Sequence, residues 1–143
     1  MRRLAILVAI GFAAPAWALD YLSVAEPAAM YDAPSQKAKP LFAVAAGTPV
    51  EAVVTLDNWV KVRDPKGDLA WIEKRSLSQT RTVMVKADRA EVHVQADDKS
   101  PLVFAAEKDV VLEWLEPGPL GWARVKHRDG QSGFVKVSQV WGI

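Results

Sequence analysis

The sequence predicts an all-β fold made of two small β-barrels in tandem, preceded by a cleaved signal peptide. Two parts of the chain repeat the same order of apolar, basic and turn positions, and both are rich in β-branched residues. No stretch after residue 18 keeps the 3.6-residue apolar period of an amphipathic helix. A repeat of this kind within 143 residues favours two similar domains over one larger fold.

The first 18 residues have the three parts of a secretory signal peptide. Arg2 and Arg3 form a basic start, residues 4–14 are apolar and uncharged, and Ala16-Trp17-Ala18 is a small-x-small cleavage pattern. The apolar run is shorter than the roughly 20 residues of a membrane-spanning helix. We therefore predict cleavage after Ala18, no membrane span in the mature chain, and a periplasmic or secreted protein. A signal retained as an anchor is the alternative.

Composition argues against several classes of function. The chain has no cysteine, which excludes a disulfide framework, a thiolate nucleophile and a Cys-based metal site. Loss of Arg2 and Arg3 with the signal leaves 16 basic and 17 acidic residues, a net charge of −1 in place of +1. So balanced a charge disfavours nucleic acid as a partner. We expect no cofactor, no metal and a monomer.

The internal repeat is clearest around one strand in each half. At an offset of 62 residues Met30-Tyr31 aligns with Val92-His93, and at an offset of 63 residues 59–63 (WVKVR) align with residues 122–126 (WARVK). Within each five-residue segment the second and fourth residues are apolar and the third and fifth are basic. This alternation predicts a strand with one buried and one exposed face.

Turn residues separate the predicted strands. The Pro and Gly of residues 64–67 favour a β-turn, and Asp129-Gly130 favours a hairpin. Each half is expected to hold five or six short strands and a single 3₁₀ turn, near Glu73–Ser76 in the first copy and near Ser138 in the second. The link from Leu77 to Arg81 lacks Gly and Pro, so the barrels should touch.

These elements divide the chain into three parts. We place the signal peptide at residues 1–18, the first barrel at 19–78 and the second at 79–143. A unit of about 60 residues buries a small fraction of its surface and is marginal alone. We therefore expect a fixed pair of barrels that stabilise each other.

Each half resembles a bacterial SH3 (Src homology 3)-like domain, a five-strand barrel common in exported bacterial proteins. The residues that carry the resemblance are Ala29–Ala33, Phe42, Gly47, Trp59–Val62, Gly67 and Ala70–Ile72 in the first half, and Phe104, Trp122–Val125, Asp129-Gly130 and Gly133–Val135 in the second. The resemblance implies a peptide-binding groove lined by aromatic residues. Trp59 and Trp122 match the groove Trp, and Tyr31 matches the first Tyr of the Ala-Leu-Tyr-Asp-Tyr motif.

Other groove positions depart from the family pattern. Ala33 stands at the second Tyr of that motif, and Glu73 and Lys136 stand at the groove Pro. Ser76 and Gln139 replace the Tyr that follows. Because a polyproline helix needs flat aromatic walls, proline-rich peptides are not the expected ligand. Bacterial members often bind cell-wall peptides or pack against neighbouring domains, and the resemblance implies one of these roles here.

Catalytic patterns are weak. Neither His93 nor His127 has a second ligand at zinc-site spacing, and no Gly-x-Ser-x-Gly motif is present. The carboxylate pairs Asp97-Asp98 and Glu113 with Glu116 are expected on the surface. An enzyme, or an accessory of a small cell-wall hydrolase, is therefore only the minor alternative.

We expect a non-catalytic envelope module that binds cell-wall peptide or glycan, with a periplasmic adaptor or assembly factor for an envelope protein as the alternative. The predicted ligand-binding residues are Tyr31, Trp59, Lys61, Trp122 and Arg124. The competing interpretation of Trp59 and Trp122 is packing against their own or the other barrel. Trp71 and Phe134 are expected in the cores, and Trp114 in a core or between the barrels.

Overall fold

The computed structural model describes residues 20–143, which fold into two antiparallel sheets of seven strands each. This confirms the all-β, tandem architecture that the sequence predicts. The predicted signal peptide, residues 1–18, lies outside the described residues. Residues 20–143 contain no helix with the length and hydropathy that crossing a membrane requires.

The two sheets have the same strand order. The first comprises β1 Asp20–Val24, β2 Ala28–Tyr31, β3 Pro40–Val44, β4 Pro49–Leu56, β5 Trp59–Arg63, β6 Leu69–Glu73 and β7 Leu77–Ser78. The second comprises β8 Thr82–Val85, β9 Arg89–His93, β10 Leu102–Glu107, β11 Val111–Pro117, β12 Trp122–Lys126, β13 Ser132–Lys136 and β14 Val140–Trp141. The order is β3-β2-β6-β5-β4-β1-β7 in the first barrel and β10-β9-β13-β12-β11-β8-β14 in the second.

The strand count is higher than the sequence predicts. Strands β7 and β14 have only two residues each, too few to show an alternating pattern, and they raise the count from the expected five or six to seven. Both follow the 3₁₀ turns, Lys74–Ser76 and Val137–Gln139, which lie where the sequence places them. Each short strand pairs with the first strand of its own barrel.

Each barrel has its own apolar core, and strand alternation decides which side chains enter it. On β5, Val60 and Val62 are buried, whereas Trp59, Lys61 and Arg63 are only half-buried and point outward. The buried members of the first core are Val24, Met30, Val50, Val60, Val62, Ala70 and Ile72. Those of the second core are Val83, Val85, Ala90, Val92, Ala106, Leu112, Val125, Val135 and Val140.

Trp71 does not lie in the core, so that prediction is wrong. Its neighbours on β6, Ala70 and Ile72, are the buried pair, and the two-residue period therefore turns Trp71 to the outside. Phe134 takes the same outward position on β13, beside the buried Val135. The sequence alignment of the two residues is right, but the face assigned to them is the opposite one.

Arg81 connects the two barrels. Its Nη2 donates a hydrogen bond to the Gly142 carbonyl at 2.9 Å, and its guanidinium lies 4.8 Å from the centre of the Trp114 ring and 5.3 Å from that of Tyr21. Tyr21 of the first barrel also packs edge-on against Trp141 of the second, with ring centres 5.5 Å apart. The barrels therefore touch, as the short link predicts.

Burial shapes the chemistry of this junction. Desolvation, with the charge of Glu51 acting in the same direction, raises the pKa of Tyr21, while Arg81 lowers it by a smaller amount. Tyr21 therefore stays neutral as it packs on its neighbours. The Nε of Arg81 and the Nε1 of Trp114 are buried with no hydrogen-bond partner in residues 20–143. The cost of burying these two atoms without a hydrogen bond offsets part of the stability that the ring contacts provide.

We expect Arg81→Ala to lower the free energy of unfolding by about 1–2 kcal/mol, because it removes two cation–π contacts and one hydrogen bond to a carbonyl. Urea denaturation followed by Trp fluorescence measures the change. Arg128→Ala, at an exposed arginine in the second-barrel hairpin, is the matched control. Equal unfolding midpoints for the two variants would contradict the role assigned to Arg81.

Candidate functional site

Strand β5 brings the predicted first-barrel residues together on the outside of the barrel. Residues directly opposite each other on antiparallel strands share a face. Lys61 lies opposite Val54 on β4 and Trp71 on β6, and Trp71 in turn lies opposite Tyr31 on β2. We call this surface the Trp59 face; its members are Tyr31, Val54, Leu56, Trp59, Lys61, Trp71 and Glu73.

An aromatic pair forms the centre of the Trp59 face. The rings of Tyr31 and Trp59 meet edge to face, with centres 5.5 Å apart and planes at 86°. This arrangement suits the ring quadrupoles and holds both side chains in place. It leaves Trp59 half-buried, with part of its ring on the surface.

An open cleft of about 940 Å³ adjoins Trp59. Its walls are the loop at residues 34–37, Asn58, Trp59 itself and residues 73–75. Within these walls the Gln36 side chain donates a hydrogen bond to Glu73 at 2.8 Å. That hydrogen bond is the main cause that holds the pKa of Glu73 below its usual value, with the adjacent Arg75 acting in the same direction.

The apolar edge of the Trp59 face arises from a bulge in β4. The register between β4 and β5 shifts between Ala52 and Val54, which leaves Val53 as the extra residue. Val54 and Leu56 are then 46% and 48% exposed, unusually high for two apolar residues of one strand. Neither residue is among the predicted ligand-binding residues. The sequence signal is the apolar run Ala52-Val53-Val54, which breaks the two-residue alternation of the strand.

The second barrel has an equivalent ring pair on its outer face. His93 takes the place of Tyr31 and packs edge-on against Trp122, with ring centres 6.0 Å apart and planes at 84°. The His93 side chain is almost fully buried; its Nδ1 lies 3.0 Å from the Ser100 carbonyl and its Nε2 lies 3.5 Å from Glu91. These contacts make His93 a packing residue of the barrel wall.

Charged and loop groups cover the second-barrel surface around Trp122. Lys136 lies with its Nζ 5.8 Å from the Trp122 ring centre and 2.8 Å from the Asp98 carboxylate. Arg124 is paired with Glu116 at 3.1 Å. The backbone at Gly118 passes so close to Phe134 that a methyl group there would lie 3.2 Å from its Cδ1.

The structure thus divides the predicted site residues into two groups. Tyr31, Trp59 and Lys61 lie together on the Trp59 face, and Trp122 and Arg124 occupy the matching positions on the second sheet. In the first group the only cation, Lys61, faces the aliphatic Val54, whereas Arg124 in the second group faces a carboxylate. The sequence alignment matches the two groups but does not show that their cations have different surroundings.

His127 lies in the second-barrel hairpin, where the sequence places it. Its ring is tilted against Phe104 at 5.7 Å, and its Nδ1 lies 3.2 Å from the Asp129 carboxylate. The pKa of Asp129 is lowered mainly by a backbone hydrogen bond from Gln131, and secondarily by His127. In the part of the chain that the structure describes, no three His, Asp or Glu side chains converge as a metal site would require.

Two barrels of this strand order, each with a Trp at the start of its fifth strand and a ring packed against that Trp, define a tandem SH3-like protein. The chain belongs to the bacterial SH3 domain family, whose sequence profile matches residues 24–79 and again residues 86–142. The predicted family and its two copies are both confirmed.

Several solved structures are similar to this chain at low sequence identity and low TM-score. NlpC2 from Trichomonas vaginalis is 12% identical over 87% of this chain and 48% of that one, with a TM-score of 0.40. An NlpC/P60 family protein from Bacillus cereus is 15% identical over 85% and 55%, with a TM-score of 0.39. An NlpC/P60 endopeptidase from Photobacterium damselae is 14% identical over 86% and 33%, with a TM-score of 0.37.

The chain spans about half the length of the first two of these proteins and a third of the last. No curated protein matches its sequence.

Gly133 allows strands β9 and β13 to approach each other closely beside His93. A methyl group at Gly133 would lie 2.5 Å from the His93 carbonyl and 2.8 Å from Val92 Cγ1, so β9 and β13 would have to separate. We expect Gly133→Ala to lower the free energy of unfolding by about 1–3 kcal/mol through this overpacking. Thermal unfolding followed by circular dichroism measures it, with Ser132→Ala as the control. Equal melting temperatures for the two variants would refute the close approach.

Proposed function

We propose that this protein is a non-catalytic binding module of the bacterial envelope that recognises cell-wall peptide or glycan through the outer face of its barrels. It acts in the periplasm or outside the cell, as a monomer, after removal of residues 1–18. The observation that carries the proposal is the Tyr31–Trp59 pair beside an open cleft. Membership in a family of binding domains supports it.

The chemistry of the Trp59 face suits such a ligand. An exposed Trp ring face packs well against the apolar side of a sugar or an aliphatic side chain, while its N–H remains available to a polar group. Lys61 places a positive charge one residue beyond the buried Val60 on the same strand. The face thus combines apolar contact with one cation, which matches a short peptide that bears an apolar part and a negative charge.

A protein partner is the second candidate, and a separate observation favours it. Val53, Val54 and Leu56 are all close to half exposed and adjoin one another at the end of β4. Contiguous apolar surface of this kind is typical of sites where proteins meet. In this case the module is an adaptor or assembly factor, and isolated cell wall does not retain it.

We expect the mature protein to co-sediment with isolated cell-wall sacculi, and the double variant Trp59→Ala/Trp122→Ala to remain in the supernatant. Removing an aromatic anchor at the centre of a contact costs about 2 kcal/mol or more, which weakens binding about 30-fold. Ile143→Ala, at an exposed apolar residue at the end of the chain, is the control. Circular dichroism verifies the folding of each variant.

Each outcome of this sedimentation experiment decides between the candidates. Pelleting of wild type and control, but not of the folded double variant, supports cell-wall binding through the Trp residues. A wild-type protein that stays in solution with sacculi excludes that function and favours the adaptor. Equal pelleting of wild type and double variant places the cell-wall site away from both Trp residues.

A further inference from the structure

The two barrels present matching outer faces that differ in how their charged groups are paired. The same cross-strand row runs Val54–Lys61–Trp71 in the first barrel and Glu116–Arg124–Phe134 in the second. The fold and the outward positions are shared, so differences between the two rows come from the side chains alone.

The cation of the second row already has a partner, whereas that of the first does not. Arg124 donates from Nη1 to Glu116 at 3.1 Å. The residue opposite Lys61 is Val54, and within residues 20–143 Lys61 takes part in no ion pair. An ammonium group between an aliphatic and an aromatic side chain is a ready partner for an anion.

The cleft beside Trp59 adds charge of the same sign. Lys37 and Lys74 lie on its walls. The carboxylate that also lines the cleft, that of Glu73, is already hydrogen-bonded to Gln36 and Arg75. A cleft with several cations and an engaged carboxylate attracts negatively charged ligands. At the equivalent place in the second barrel, Lys136 is neutralised by Asp98 instead.

The Trp rings differ in the same way. Trp59 lines the cleft and its ring is partly exposed, whereas the Trp122 ring lies under the Lys136 ammonium. The loop around Gly118 also approaches Phe134, the counterpart of Trp71. The first barrel therefore offers a Trp ring at an open cleft and, in its cross-strand row, a cation without an ion pair, whereas in the second barrel the corresponding ring and cation are each in contact with a charged group.

We propose that the first barrel alone binds ligand, and that the ligand is a cell-wall peptide whose free carboxylate pairs with Lys61 while its apolar part lies on Trp59. This rests on the proposed function and narrows it from cell-wall peptide or glycan to peptide. Glu116 in the second barrel occupies the place that the ligand carboxylate takes in the first. Because the pair forms near the surface, binding weakens as salt rises.

Val54→Glu is the sharpest test, because it builds into the first barrel the internal carboxylate that Glu116 supplies in the second. The position is 46% exposed, so a polar side chain is accommodated without loss of the core. Val54→Gln has the same shape without the charge and is the matched control. In sedimentation with sacculi we expect Val54→Glu to bind at least about tenfold more weakly than Val54→Gln.

Two further arms complete the experiment. Sacculi whose carboxyl groups have been capped as neutral amides should bind the wild-type protein at least about tenfold more weakly than native sacculi. Trp59→Ala alone should lose as much binding as the double variant Trp59→Ala/Trp122→Ala, since the second barrel contributes none. All three results together support the proposal.

The outcomes distinguish failure of this inference from failure of the proposed function. If Val54→Glu and Val54→Gln bind equally, or if native and capped sacculi bind the wild-type protein equally, the pairing of a ligand carboxylate with Lys61 is wrong. Cell-wall binding itself is unaffected by either result. Binding by Trp59→Ala that the second substitution then abolishes overturns the single-barrel assignment. If the wild type does not pellet with native sacculi, the proposed function is wrong and this inference is wrong with it.

Discussion

The alternation of side chains along β5 is the constraint on which the rest of the structure depends. Burying Val60 and Val62 in the first core forces Trp59 and Lys61 onto the outer face, 2 residues apart. Antiparallel pairing then places Trp71 beside Lys61, and the bulge at Val53 in β4 brings Val54 to its other side. The same apolar residues that hold the barrel together therefore also assemble its candidate site.

Much of this could be predicted from the sequence because alternation and turn residues are local signals. The WVKVR and WARVK segments identify a strand, its buried side and the repeat at once. Trp71 shows the limit of such reasoning, because it is predicted in the core, and the burial of Ala70 and Ile72 on either side shows that it faces outward. The two-residue strands β7 and β14 carry no pattern to detect.

The differences between the repeats could not be predicted, because they depend on pairs that are distant in sequence. Arg124 and Glu116 are eight residues apart across a bulged hairpin, and Lys136 meets Asp98 from a different strand and loop. Aligning the repeats shows that Lys61 corresponds to Arg124, but not that one cation is paired and the other is not. That information lies in the register between β4 and β5 and between β11 and β12.

The junction between the two barrels is formed by residues of both. Arg81 lies against Trp114 of the second barrel and Tyr21 of the first, and Thr82 donates a hydrogen bond to the Gly47 carbonyl at 2.6 Å. A barrel of this size is marginal alone, so such contacts stabilise both units. Because both barrels contribute to it, the junction does not distinguish one from the other. The difference lies on the outer faces, where Glu116 and Asp98 pair with Arg124 and Lys136 of the second barrel, whereas Lys61 of the first takes part in no ion pair within residues 20–143.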